Sequence, residues 1–422
     1  MHTLTVLGGG SAYTPGLLQA LIGHAGELPL TTVRLYDTDA RRLDVVGRLC
    51  AGMARGVLRV EAAGSLEEAL RGASLVLNAT RPGGLEARRI DETLPLEFGI
   101  PGQETVGPGG FFYALRSVPQ ALRLAEMMHT LAPAAILLNY TNPSNIVTQA
   151  LSDQGLVSVI GLCDQSDEDL QSLAHALGMD GGHQLRCNGL NHATWYSAIR
   201  IGGRPLGALP ATLAPPAEYD EEHRLRFAYS LEMARAEAGL WPNSYLPYYL
   251  HPQAFVEQAR RVGPRSDAVA ASLPAYYAHF AEQAARDTPQ LRLYRGAAGF
   301  GDLAVNVIRA LGAAEPRELV LNLPNRGATG AFADDSVVET LVRVSRDGIE
   351  RLAAPPLPES FTALAGQLER YQRLCVGAAA DSALAPRVAA LAANPLVGDA
   401  ALAVAMLERA RASYGALIAW PA

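Results

Sequence analysis

Leu4-Thr5-Val6-Leu7-Gly8-Gly9-Gly10-Ser11-Ala12-Tyr13-Thr14-Pro15 is the stretch that decides how the rest of this chain is read. Its first four residues form a short β-rich run, as in a buried strand. The glycines behind them let the backbone turn tightly and come close to a ligand. The helix that follows aims its free N–H groups at negative charge. A strand, a glycine turn and a helix in that order open a dinucleotide-binding unit, with Gly8, Gly10 and Ser11 at the pyrophosphate. Asp37 closes the next strand-like run, where a carboxylate binds a ribose hydroxyl and repels the extra phosphate of NADP, so NAD is the expected cofactor. The third glycine of the usual fingerprint is Tyr13 here. A tight turn with no ligand explains the same residues, so the motif alone decides nothing about cofactor.

Outward from this unit, β-rich runs at 33–36, 74–77, 135–139 and 158–161 alternate with helical patterns at 16–22, 41–54 and 118–128. The alternation predicts an α/β fold: a Rossmann-like, doubly wound parallel sheet over residues 1–185 that binds NAD. From Arg186 the pattern changes. A strand-like run at 193–201 ends in a Gly202-Gly203 turn, and 205–218 reads as an extended connection carrying Pro205, Pro210, Pro215 and Pro216. Helical stretches at 222–240, 264–285 and 399–414 follow, with one strand-like piece at 318–323. Residues 186–422 are expected to form an α+β domain serving substrate, metal and oligomer contacts, with the active site between the two domains.

A chain of 422 residues is long enough for two ordinary cores. At 49% hydrophobic and 18% charged residues it has the profile of a soluble globular enzyme. No apolar run reaches the ~20 residues of a membrane span, and the N-terminus lacks a signal sequence, so a cytoplasmic protein without membrane contact is expected. The net charge of −7, with all 35 basic residues being Arg, argues against a nucleic-acid partner. Cys50, Cys163, Cys187 and Cys375 are scattered without a CxxC spacing and read as thiols or ligands in a reducing compartment.

Gly161-Leu162-Cys163-Asp164 ends a predicted strand, on the edge where open α/β sheets bind ligands. Gly189-Leu190-Asn191-His192 comes later. A thiolate and an imidazole suit a borderline divalent ion and leave positions open for substrate oxygens. By spacing alone, a buried inert thiol and an unrelated histidine are the simpler reading. Three polar stretches are hard to explain as packing: Arg81-Pro82-Gly83-Gly84-Leu85-Glu86-Ala87-Arg88, Gly102-Gln103-Glu104-Thr105-Val106-Gly107-Pro108-Gly109-Gly110 and Asn139-Tyr140-Thr141-Asn142-Pro143. Singly, each passes for a turn. Asn243-Ser244-Tyr245-Leu246-Pro247-Tyr248-Tyr249 passes for a packed aromatic segment, and Arg265 for a solvated helix residue.

In order and spacing together, these motifs resemble glycoside hydrolase family 4, the NAD- and manganese-dependent family of 6-phospho-glucosidases and related α-galactosidases and glucuronidases. The resemblance runs from Leu4 to beyond Arg265, and less strongly to Asn394-Pro395-Leu396-Val397. It implies a lactate/malate dehydrogenase-like fold, NAD and a divalent metal, manganese, as cofactors, and a homodimer or homotetramer. It assigns Cys163 and His192 as metal ligands, Tyr245 as the base, and Glu104 as the carboxylate that raises the tyrosine's basicity. Arg88, Asn142 and Arg265 match substrate contacts, and the planar donor fork of arginine suits a sugar phosphate. Asp164 matches the acid of α-cleaving members, whereas many β-specific members have Asn. The Pro that relatives often carry two positions further on is absent, and the opening 10–15 is closer to β-type members. The expected activity is hydrolysis of 6-phospho-glucosides, with the β anomer slightly ahead. The alternatives are a 6-phospho-α-glucosidase or α-galactosidase of the same family, or an NAD-dependent sugar or hydroxy-acid dehydrogenase.

The chemistry so implied departs from the carboxylate pair of most glycosidases. Hydride leaves sugar C3 for NAD, the C2 proton is removed with the metal's help, the aglycone is eliminated, water adds and the hydride returns. A tyrosine with a pKa of about 10 needs positive charge nearby to act as that base.

Overall fold

The structure is a computed structural model that describes residues 2–293 and 301–420. Strands β1 (Thr3–Leu7), β2 (Thr32–Tyr36), β3 (Arg59–Ala62), β4 (Leu75–Asn78), β5 (Ile136–Asn139) and β6 (Ser158–Gly161) pair in parallel in the order β3-β2-β1-β4-β5-β6. Strand order reverses between β1 and β4, and sheets of this kind bind ligands at the carboxyl ends of the strands at such a point. All four residues of β4 are buried, as a central strand covered on both faces requires.

A smaller antiparallel sheet follows: β7 (His183–Leu190), β8 (Ala193–Ile201), β9 (Arg204–Pro205) and β10 (Trp241–Pro242), in the order β10-β8-β7 with β9 on β8. The chain then returns to the large sheet. Strand β11 (Arg317–Pro324) lies antiparallel to β6, with Asn322 opposite Gly161, and β12 (Val337–Ser345) and β13 (Gly348–Arg351) extend the sheet to nine strands. Its two faces carry separate cores. Leu7, Val76 and Leu137 pack under helices Gly107–Leu131 and Ser144–Gln154 and under the late helices Glu359–Ala380, Leu384–Ala393 and Ala400–Tyr414. Leu4, Val6, Leu75 and Leu77 pack under helices Thr14–Gly23, Ala40–Met53 and Asp302–Gly312. Both the large sheet and its helix layers therefore draw on residues from either side of the 185/186 division.

The mixed α/β architecture with its large parallel sheet is the one expected. Two local readings fell short. The helix expected over 118–128 runs from Gly107 to Leu131, because the polar glycine stretch before it is part of the helix. A Cβ on Gly109 would stand 2.1 Å from the Gln103 carbonyl oxygen, and one on Gly110 2.5 Å from that of Thr105. Glycine is needed there for close approach of the preceding loop, so it breaks no helix. Strands β3, β7, β9, β10, β12 and β13 were not read; β3 is short and only partly buried, β9 and β10 are two residues each, and β13 is a four-residue edge. Among the described residues no helix is long and apolar enough to cross a membrane.

Candidate active site

The glycine turn is pressed against the end of β4. Gly8 has φ +83°, and a Cβ there would stand 2.8 Å from the Ala79 carbonyl oxygen. The N–H groups of Gly8 and Gly9 donate to the Tyr36 carbonyl at 3.0 and 2.8 Å, and that of Gly10 donates to Asp37 Oδ2 at 2.9 Å. Asp37 Oδ1 accepts from the Asp39 N–H at 2.9 Å. A carboxylate has about four acceptor sites, so Asp37 braces the turn and keeps capacity for a hydroxyl. Helix Thr14–Gly23 starts without a side-chain cap and without an acid in its first turn. Thr14 N–H donates to the Ser11 carbonyl at 3.1 Å and Pro15 has none, so this end attracts anionic oxygens mainly through the helix dipole. Tyr13, with φ −83°, needs none of the freedom of the glycine it replaces. The turn fits a dinucleotide.

Cys163 follows β6, and His192 sits in the turn between β7 and β8 at φ +65°. Cys163 Sγ and His192 Nε2 are 3.5 Å apart. Thr105 Oγ1 donates its one proton to Gln103 Oε1 at 2.8 Å, so it accepts from His192 Nδ1, 3.1 Å away. That assigns the tautomer and leaves the Nε2 lone pair facing the sulfur, the arrangement a metal-bound imidazole requires. Burial, then the Arg226 charge, push His192 down to about 3 against the pull of Glu104, so the ring is neutral. Burial, then the Glu339 carboxylate, push the Cys163 thiol well above its usual range, so its thiolate forms only against a cation. One sulfur and one nitrogen at this spacing fit a shared divalent ion. Among the described residues no cluster of three or more His, Cys, Asp or Glu side chains could hold an ion, so the remaining positions would fall to substrate and water.

Tyr245 lies beside this pair. Its ring stacks on His192 with centroids 4.2 Å apart, and the Arg226 guanidinium lies 4.0 Å over the ring. Arg226 is fixed by the Ser244 carbonyl at 3.2 Å and by the Ser244 hydroxyl. Burial raises the Tyr245 phenol to about 12, with Arg226 and Arg265 pulling the other way. Asp164 Oδ1 accepts from the Tyr140 hydroxyl at 2.8 Å; burial lifts Asp164 to about 7 in spite of that bond, with Glu168 and Asp167 adding to the rise. Asn142 Oδ1 accepts from the Ser144 N–H at 3.2 Å, and Ser144 Oγ donates to the Leu162 carbonyl at 3.1 Å, so the Asn142 loop is tied to the Cys163 segment.

The two substrate arginines differ. Arg88 is 5% exposed and already pairs with Glu92 at 2.7 Å and Glu104 at 3.2 Å. Arg265 opens helix Arg265–Ala284 with an exposed side chain. Both line one cleft together with Glu222 and Tyr248. Glu104 pairs with Arg81 and Arg88; burial opposes its charge, but Arg81, Arg88 and the more distant Arg265 hold it at about 2. Its charge reaches His192, while the ring contacts of Tyr245 are made by His192, Arg226 and Tyr248.

The structure thus gathers Cys163, His192 and Tyr245 at one point, with Glu104, Arg88 and Arg265 around it. It also adds residues that the sequence reading missed. Thr105 and Tyr140 lay inside stretches already singled out as hard to explain by packing. Arg226 lies in an Arg-rich helical run with nothing to mark it, and Glu339 is far along the chain on β12.

Comparison with known proteins agrees with this geometry. The model of the family 4 glycosyl hydrolases matches residues 3–179, and that of the family 4 glycosyl hydrolase C-terminal domain matches residues 187–397. A probable 6-phospho-beta-glucosidase of Bacillus subtilis is 30% identical over 96% of this chain and 94% of its own. A maltose-6'-phosphate glucosidase of the same organism is 28% identical with the same coverage. The solved structure of a 6-phospho-alpha-glucosidase from gut microorganisms, in complex with NAD and Mn2+, superposes with a TM-score of 0.89 at 25% identity, covering 100% of this chain and 99% of that one.

Proposed function

The chain belongs to family 4 of the glycosyl hydrolases, and from that premise we propose that it hydrolyses 6-phospho-glucosides with NAD and a divalent cation, manganese, as cofactors. The observation that carries this reading is the convergence of Cys163 Sγ and His192 Nε2, 3.5 Å apart, with the Tyr245 ring stacked on the same imidazole. The relatives named above act on both anomers. The opening 10–15 favours β for this chain, and Asp164 is the feature that speaks for α.

Gly8, Gly10 and Ser11 cradle the NAD pyrophosphate and Asp37 takes a ribose hydroxyl; Cys163 and His192 hold the cation. Bound there, NAD would supply a reversible hydride acceptor for sugar C3, and the cation would supply the Lewis acidity that acidifies the C2 hydrogen. Tyr245, pinned between His192 and Arg226, takes that proton as its phenolate; the charges of Arg226, Arg265 and a bound cation oppose the burial that puts the phenol at about 12. Asp164, oriented by Tyr140, stands at the departing C1 oxygen. Asn142 holds a sugar hydroxyl. Arg265, open to the cleft, binds the 6-phosphate directly, and Arg88 adds a charge that Glu92 and Glu104 hold in place. Glu104 acts on the base through these arginines and through its field at His192.

We assign residues 1–185 to NAD binding and 186–422 to substrate, metal and oligomer contacts. The break between the two family matches, at 179–187, supports that division. A reducing, cytoplasmic setting is assigned on the need to keep the Cys163 thiol unoxidised. A homodimer or homotetramer is assigned on the resemblance.

The test uses p-nitrophenyl 6-phospho-α- and β-glucosides with NAD⁺, Mn²⁺ and a thiol reductant. Nitrophenol release that stops when either nucleotide or metal is stripped is the expected result, and the ratio of the two rates gives the anomer. Release that persists after stripping overturns the mechanism, and steady accumulation of NADH without nitrophenol marks a dehydrogenase.

A further inference from the structure

Arg81 opens one of the polar stretches that packing does not explain, and its bond to Glu104 uses a single N–H of a guanidinium that carries several. Among the described residues Nε and Nη2 donate to nothing, and the side chain is 31% exposed. Arg81 stands three residues after β4, beside the glycine turn. The Ala79 N–H donates to the Leu7 carbonyl at 3.1 Å, and a Cβ on Gly8 would stand 2.8 Å from the Ala79 carbonyl oxygen. Its backbone is held still. The Gly84 N–H donates to the Arg81 carbonyl at 3.0 Å, and the Pro82 carbonyl accepts from Arg116 Nε at 3.2 Å. Arg116 is itself fixed by both oxygens of Asp91, at 3.0 and 2.6 Å. The Arg81 guanidinium lies 5.3 Å from the centroid of the buried Tyr113 ring.

The glycine turn next to it is short of positive charge. Residues 3–23 include no Lys, Arg or His, Thr14 and Pro15 offer no free N–H at the helix start, and Asp37 is a carboxylate. Both phosphates of NAD are anionic, and an ion leaves water at low cost only where counter-charge meets it. Strand order says which phosphate lacks it. Asp37 follows β2 and takes the adenosine ribose; β1 with its turn comes next, and then β4. The phosphate nearer the adenosine thus lies over the turn, and the one nearer the nicotinamide lies towards β4, on the side of Arg81. Tyr13, at the start of helix Thr14–Gly23, is within electrostatic reach of Arg81, so the guanidinium stands near the positive end of that helix. Arg42 is also close to the turn, but on the β2 side, where it pairs with Asp39 at 3.1 Å. A guanidinium pinned by a carboxylate at one edge presents its other edge in a fixed plane, which suits two phosphate oxygens. We propose that Arg81 is a cofactor-binding residue whose open edge takes the NAD phosphate nearer the nicotinamide. This rests on the NAD-dependent reading of the site.

The test is calorimetric titration of wild type, Arg81→Met and Arg81→Lys with NAD⁺, ADP-ribose and AMP, at low and at physiological ionic strength. ADP-ribose keeps both phosphates and lacks the nicotinamide ring; AMP keeps only the phosphate nearer the adenosine. Arg81→Met should weaken NAD⁺ and ADP-ribose about tenfold and AMP no more than about twofold, and should flatten the salt dependence of ADP-ribose binding. Arg81→Lys keeps a cation beside Glu104 but not the second edge of the fork, so it should bind ADP-ribose about threefold more weakly. It carries the test should Arg81→Met fail to fold. Unchanged ADP-ribose affinity, a loss confined to NAD⁺, or an equal loss on AMP overturns the contact. So does a parallel loss of Mn²⁺ affinity, which would trace the effect to the Glu104 loop that holds His192 through Thr105. A wild type that binds neither NAD⁺ nor ADP-ribose removes the NAD-dependent reading instead, which separates the two failures.

Discussion

Arg88 and Arg265 look alike in the sequence, each an arginine at a position matched to substrate, but burial gives them different work. Arg265 is exposed at the cleft, so its loss should be felt by the phosphate alone. Arg265→Ala is expected to raise KM for a 6-phospho-glucoside about tenfold or more and to leave KM for the unphosphorylated glucoside nearly unchanged; equal changes in the two would refute the phosphate role. Arg88 is enclosed with Glu92 and Glu104, and removing it would leave buried carboxylates short of charge. Glu104 turns this pairing into a pH dependence. Its carboxyl is held at about 2, below the ordinary 4.5, so its contribution to stability is full above 4.5 and is lost as pH falls towards 2. Thermal melts of wild type between pH 5 and about 2.5 should therefore fall more steeply than those of Glu104→Gln, because the neutral amide has no charge to lose. Parallel slopes for the two proteins would show that the arginines do not hold Glu104 ionised.

At the scale of elements, the sequence was most legible where a single period governs. The strands at 193–201 and 158–161 lie where alternation and β-branched residues put them, and Asp399 caps helix Ala400–Tyr414 through the Leu402 N–H. It was least legible where glycine serves packing. In helix Gly107–Leu131 the Gly109 and Gly110 positions look like turn residues, yet they are helical because the loop carrying Gln103 and Thr105 passes over them. That loop holds His192 through Thr105, so the close approach is part of the site. Gly109→Ala would press a methyl onto the backbone oxygens of Gln103 and Asp91, neither of which can step aside. It should destabilise the protein by about 3 kcal/mol or more and weaken Mn²⁺ binding, read by melting temperature and by calorimetric titration. Gly366→Ala, where a Cβ in helix Glu359–Ala380 meets nothing within 4 Å, should instead stabilise by about 0.5–1 kcal/mol. An unchanged melting temperature for Gly109→Ala would mean that the loop is not pressed against the helix.

At the scale of the whole molecule, the metal pair is held by a residue that neither ligand's neighbourhood reveals. Glu339, on β12 and 1% exposed, accepts from Asn191 Nδ2 at 2.8 Å, Thr194 Oγ1 at 2.6 Å and Asn322 Nδ2 at 3.3 Å. Asn191 and Thr194 flank the turn that carries His192, and Asn322 lies opposite Gly161, two residues before Cys163. One carboxylate thus ties the His192 turn to Asn322 of β11, the strand that pairs with β6 at Gly161 and so backs the Cys163 segment. This is why the site needs β11 and β12 to return to the large sheet after the smaller sheet has formed. No local pattern signals such a link, because Glu339 sits on β12, a strand the sequence reading left out, and its partners lie up to 148 residues away. Glu339→Ala should take their acceptor from the buried Asn191 and Asn322 amides, while Thr194 keeps the Leu190 carbonyl at 2.8 Å, and let the two ligand-bearing segments drift apart. Mn²⁺ affinity, followed by electron paramagnetic resonance of the free ion, is then expected to fall about 10- to 100-fold. NAD affinity should stay within about twofold, because Gly8, Gly10 and Asp37 are braced by β2 and β4 and by no part of this network. A folded Glu339→Ala protein that binds Mn²⁺ as tightly as wild type would mean that Cys163 and His192 meet without help from the second half of the chain.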